Sequence, residues 1–182
     1  MILVTLDSFV GKYVLARTNS TDPELQDFID TYEKKYIYQL LGVELGQLLI
    51  DELTAYNSGS DPVEARFQVL LDPFTLQSSS CFPFHTGKIY ESLGLKDMLT
   101  AFIYYHYVKE THQKHSQSGV EQDDAETAKI VNNRTAARFA ERKWNAALDT
   151  VDAIQWRCKF YEPTVYPEYK GLKFSPQYGS LL

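Results

Sequence analysis

The sequence predicts a mainly α-helical fold, a helical bundle of about four to five helices. A long C-terminal helix, a β-hairpin or long loop near 74–93, and extended N- and C-terminal arms complete the expectation. Three observations carry it. Apolar residues recur at three- and four-residue intervals through most of the chain. Asp-Pro pairs and single glycines punctuate those stretches where helices start and stop. The last segment, Tyr161 to Leu182, interleaves Pro163, Pro167, Pro176, Gly171 and Gly179 with aromatics, a pattern no helix tolerates.

Along the chain, Ile2 to Leu6 is β-branched and apolar and reads as a short strand, followed by an irregular arm around Gly11. Asp22-Pro23 is a helix start, because an aspartate can cap free N–H groups and proline lacks the N–H that the first turn would leave unsatisfied. Leu25, Phe28, Ile29, Tyr32, Tyr36 and Leu40 then share one face, and Gly42 ends the helix. A second helix runs from Val43 to about Ala55 through Leu45, Leu48, Leu49 and Leu53, so close behind the first that the two form a hairpin or corner. After the Asn57-Ser58-Gly59-Ser60 loop, Asp61-Pro62 opens a shorter helix carrying Val63, Phe67, Leu70 and Leu71.

Helix four, from about Gly94 to His112, places Leu95, Met98, Leu99, Phe102, Ile103, Tyr107 and His106 on a wide stripe and is expected to be the central core helix. Glu121, Asp123, Asp124 and Glu126 lie where a helix N-terminus favours negative charge. From Ala125 no Pro or Gly occurs until Pro163, and Ala136, Ala140, Trp144, Ala147, Leu148, Val151, Ile154 and Cys158 keep the helical period. That helix could reach ~35 residues, or ~50 Å, with part of it projecting from the core. The expected organisation is an N-terminal arm (1–20), a helical domain (21–160) and an extended C-terminal arm (161–182).

Composition bounds function. With 44% hydrophobic and 23% charged residues the 182-residue chain fits one soluble domain. A net charge of −6 opposes the basic excess needed to hold phosphates tightly by counterion release. The 13 tyrosines suit half-wet contact surfaces. Two cysteines, Cys81 and Cys158, build neither a disulfide framework nor a zinc site, consistent with a reducing compartment. No basic leader precedes Met1-Ile2-Leu3, and the apolar run Met98 to Tyr107 is far short of the ~20 residues that span a bilayer, so the expectation is a soluble protein made in the cytoplasm.

Candidates for chemistry are few. Cys81 with His85 would be a thiol and its base, but no orienting group accompanies them, and an ordinary partly buried cysteine is the plainer reading. His106, His112 and His115 lack further ligands and suit a helix C-terminus. No catalytic, metal or cofactor-binding residue is therefore expected. Arg134, Arg138 and Arg142, four apart, form a stripe that could meet DNA phosphates or an acidic protein face; a solvated face partnered by Glu141 is the plainer alternative. The tail aromatics Tyr161, Tyr166, Tyr169, Phe174 and Tyr178 either fold back or dock on a neighbouring subunit. Docking is favoured, since a proline-broken arm offers contact area with little structure of its own.

Several segments, in order, resemble a known family. They are Glu33-Lys34-Lys35-Tyr36-Ile37-Tyr38-Gln39-Leu40-Leu41-Gly42-Val43-Glu44-Leu45, Gly94-Leu95-Lys96-Asp97-Met98-Leu99, Phe102-Ile103-Tyr104-Tyr105-His106-Tyr107-Val108, Ser118-Gly119-Val120 and Lys143-Trp144-Asn145. Together, over about residues 20–155, they resemble the head-to-tail connector or adaptor proteins of tailed phages and prophages, in the version found in Bacteroidota phages such as the crAss-like group. The resemblance implies a virion protein without enzymatic activity. Its subunits would form a homo-oligomeric ring, usually a dodecamer, beneath the portal protein. That ring would pass the channel to the next tail or stopper ring protein, with double-stranded DNA moving through without tight binding. The family has no catalytic residues to carry over. The competing expectation is a helical, small-terminase-like packaging protein that binds DNA through the arginine stripe.

Overall fold

The structure is a computed structural model and describes residues 2–13, 15, 23–59, 62–77, 87–111 and 133–170. Helix α1 (Pro23–Leu41) begins on the proline, as its fixed φ favours. Helix α2 (Val43–Asn57) follows after one residue, Gly42, whose φ of 85° turns the chain between them. Gly42 donates its N–H to the Tyr38 carbonyl at 2.9 Å and accepts from the Gly46 amide at 2.9 Å, so one residue closes one helix and opens the next. The corner is tight: a Cβ on Gly46 would lie 3.0 Å from Tyr38 Cδ1.

Short α3 (Ala65–Leu71) leads into strand β1 (Phe74–Gln77), which pairs antiparallel with β2 (Ile89–Ser92), Leu76 facing Tyr90. The hairpin reading of 74–93 therefore holds for the described residues. Gly94, at φ 89°, carries the chain from β2 into α4 (Leu95–Thr111) so close to α3 that a Cβ there would sit 2.3 Å from the Leu71 carbonyl oxygen. Only glycine fits both demands.

Helix α4 is the centre of the molecule, as its apolar stripe predicts, but burial extends almost around it. Met98, Leu99, Ala101, Phe102, Ile103, Tyr104, Tyr105 and Val108 are all buried. Helix α5 (Asn133–Trp156) lies along α4 with Ala140, Trp144, Ala147, Leu148, Val151 and Ile154 inward and ends in a wider π-type turn over Arg157–Tyr161. At 24 residues it spans ~36 Å. The part expected from Ala125 to 132 lies outside the described residues. A small second cluster joins the hairpin to α5, with Tyr90 stacked on Trp156 at 4.8 Å. Among the described residues no helix is long and apolar enough to cross a membrane.

The two arms differ from expectation where they are described. Ile2–Leu6 forms no strand: residues 2–5 are irregular, two short 3-10 turns follow (Leu6–Ser8 and Gly11–Tyr13), and Ile2, Val4, Phe9 and Tyr13 are buried in the main core. In place of a partner strand it has the carboxylate of Glu33, 1% exposed on α1, which accepts the amides of Ile2 at 2.9 Å, Leu3 at 2.6 Å and Val4 at 2.7 Å. Asn57 Nδ2 donates to the Ile2 carbonyl, while Lys12 Nζ and Tyr13 Oη both reach the Asp97 carboxylate on α4. Residues 2–13 are thus a clasp across α1, α2 and α4.

Glu33→Gln is expected to lower stability by about 2–3 kcal/mol, because the amide presents a donor where the carboxylate accepts from three N–H groups, two of them buried. Thermal unfolding, with hydrogen exchange at Ile2, Leu3 and Val4, checks it; unchanged protection of those three amides would contradict the clasp.

Candidate interaction surfaces

Three groups of residues bear on function: the C-terminal aromatics, the arginine stripe, and a polar network inside the helical core that the sequence does not single out. Pro163 and Pro167 break the helix after Tyr161, as expected, but the chain then turns back over α3. Tyr166 is 2% exposed, and its hydroxyl donates to the Arg66 carbonyl at 2.7 Å. Arg66 in turn donates Nη1 to Glu168 at 3.2 Å and Nε to Glu64 at 2.8 Å, with its guanidinium 4.6 Å from the Phe67 ring. Tyr169 packs on the main core, Arg157 and Glu162 form a two-point pair at 2.8 and 3.0 Å, and Lys170 pairs with Glu44 of α2.

Tyr166 therefore spends its ring surface on its own chain, whereas Tyr169 is only partly buried there. Tyr161 stays exposed and keeps a contact surface. Phe174 and Tyr178 lie outside the described residues. Cys158 is buried in the same region, where desolvation pushes its thiol up to about 12, the opposite of an activated nucleophile. Cys81 and His85 lie outside the described residues, as do His112, His115, Glu121, Asp123, Asp124 and Glu126.

On α5, Arg138 and Arg142 are exposed on one face, as their spacing predicts; the side chain of Arg134 lies outside the description. Among the described residues neither Arg138 nor Arg142 forms an ion pair, so the expected partnership with Glu141 is not made. Phe139, half exposed between them, has Lys143 Nζ 4.9 Å from its ring.

The core network links α1 and α4. His106 stacks on Tyr32 at 4.0 Å with planes 8° apart, and its Nε2 meets the Tyr36 hydroxyl at 2.5 Å. Tyr32 donates to Glu110 at 2.8 Å, and Glu110 lies 3.7 Å from His106 Nδ1. Trp144 of α5 completes the cluster against Phe102 at 4.2 Å, and its buried Nε1 has no acceptor among the described residues. Desolvation lowers the His106 pKa to about 4, helped by Lys35 and Lys109 and opposed by Glu110; burial also pushes Tyr32 up to about 12. A neutral histidine so held is a packing and hydrogen-bonding element. Among the described residues no group of three or more His, Cys, Asp or Glu converges as a metal site.

Compared with known protein families, curated proteins and solved structures, the chain matches none.

The network sets a pH dependence. Above the ordinary histidine pKa of 6.5 both folded and unfolded chains keep His106 neutral; as pH falls from 6.5 toward about 4 only the unfolded chain takes up the proton. Stability is therefore lost across that window, by up to about 3 kcal/mol. His106→Phe is expected to remove this part of the slope while costing about 1–2 kcal/mol at neutral pH through loss of the His106–Tyr36 hydrogen bond. Denaturant unfolding of both proteins from pH 7 to 4 checks it; parallel curves would contradict the assignment.

Proposed function

We propose that this chain is a structural virion protein, the repeating subunit of a ring beneath the portal at the head-to-tail junction of a tailed phage. In this reading a homo-oligomeric ring, a dodecamer in proteins of this kind, extends the DNA channel from the portal and docks the next tail or stopper ring protein.

The observation that carries the reading is where the resembling segments lie. Tyr36, Leu40 and Leu41 of α1, Leu45 of α2, Leu95, Met98, Leu99, Phe102 and Ile103 of α4, and Trp144 of α5 meet in one core. The segments that carry the resemblance thus supply packing between four helices of this chain and no chemical site, as suits a scaffold subunit. The net charge of −6 supports the same role, since a channel wall that does not grip phosphates lets the duplex slide.

Exposed Arg138 and Arg142 favour one second reading, a small-terminase-like packaging protein that holds duplex DNA on this face of α5. Two measurements separate them. Sedimentation of the chain mixed with the portal protein of the same genome, with negative-stain imaging, is expected to give a ring stacked on the portal; a chain that sediments alone would end the portal-adaptor reading. Duplex binding is expected to be negligible at physiological salt, whereas the packaging reading requires binding that falls steeply as salt rises and is lost in Arg138→Ala/Arg142→Ala.

A further inference from the structure

The outer faces of α2 and α5 are opposite in charge and alike in plan. Helix α2 contains three acids, Glu44, Asp51 and Glu52, and no base. On its exposed side Leu48 is 40% open to solvent, with Glu44 four residues before it and Asp51 three residues after. Glu44 shares its charge with Lys170, while Asp51 accepts only from the neutral Gln47 amide among the described residues. Helix α5 supplies the counterpart. Phe139 is 42% open, with Arg138 before it and Arg142 three residues after, both exposed. Each face is thus one apolar side chain bracketed by two like charges, anionic on α2 and cationic on α5.

The two helices do not share a packing partner as their principal contact: α2 lies chiefly on α1, and α5 chiefly on α4. The two patches are thus different surfaces carried by different helices. Two different complementary patches on one chain make a heterologous contact, which repeats head to tail and closes into a ring when the rotation per subunit allows. Opposite charges fix the register and reject like-with-like pairing, while the apolar centres contribute the area removed from water.

We propose that the α5 face around Phe139, Arg138 and Arg142 docks on the α2 face around Leu48, Glu44 and Asp51 of a second copy of this chain. This contact is the subunit-to-subunit interface of the ring and rests on the ring reading above. It also assigns the arginine stripe to protein rather than to DNA.

Cysteine-pair cross-linking tests it in the full chain on a Cys81→Ser background. Gln47→Cys and Ala146→Cys place exposed thiols beside the two patches and leave every proposed charge intact. With a short bis-maleimide, in the presence of the portal protein, a chain carrying both is expected to give a ladder of covalent multimers. Each single variant alone is expected to stay monomeric, and a mixture of the two singles to stop at dimers. Arg138→Glu/Arg142→Glu should abolish the ladder, and adding Glu44→Arg/Asp51→Arg to the same chain should restore it, which a folding defect could not do. Dimers from either single variant would show a symmetric contact and overturn the proposal. So would a ladder insensitive to charge reversal, or loss of duplex DNA retention as the only effect of reversing the arginines. A ring that co-sediments with portal yet yields no ladder would overturn this interface while leaving the ring reading standing; absence of any co-sedimenting ring would remove both.

Discussion

Nearly complete burial of α4 is the constraint on which the remaining structure depends. A helix buried on nearly every side cannot rest on a single neighbour, so α1 and α5 must flank it, with the N-terminal clasp and α3 closing the remaining gaps. Tyr36, Phe102 and Trp144, one from each of the three main helices, meet within 4.2 to 5.9 Å and set how those helices face one another. Loss of any of these rings would open a cavity between three elements at once. Several polar atoms that this packing drags inward find partners: Thr100 bonds back to the Lys96 carbonyl, Thr150 accepts the Leu93 amide, and His106 meets Tyr36, while Trp144 Nε1 has no acceptor among the described residues.

The described segments 2–13 and 161–170 are recruited to this core by means that differ from regular secondary structure. The N-terminal segment has three successive amides, two of them buried, and no strand to pair with; one carboxylate accepts all three. The segment after α5 has a tyrosine that donates to the Arg66 carbonyl and a glutamate that accepts from the Arg66 guanidinium, both on α3, and these hold Tyr166 and Glu168 against the body. What is left facing outward on the described residues is unevenly charged, acidic on α2 and basic along the first part of α5. That asymmetry, not any reactive group, is the feature most suited to ordered self-assembly.

The sequence by itself determined the main helices and bounded the hairpin interval, but not the N-terminal segment, where the expected strand does not form. Helical periodicity, Pro23, Gly42, the hairpin interval and the apolar density of α4 are local properties, readable because each depends on residues within about one or two turns. It also placed Arg138 and Arg142 on one exposed face by spacing alone. The tertiary structure decided everything that rests on partners far along the chain. Glu33 stands on the buried stripe between Ile29 and Ile37, a position that could have marked it as unusual, but its partners lie 29 to 31 residues away. His106 finds Tyr36 across 70 residues, and Tyr166 finds the Arg66 carbonyl across 100. Periodicity reports which face a side chain occupies; which distant atom satisfies a buried polar group is settled only when the helices pack.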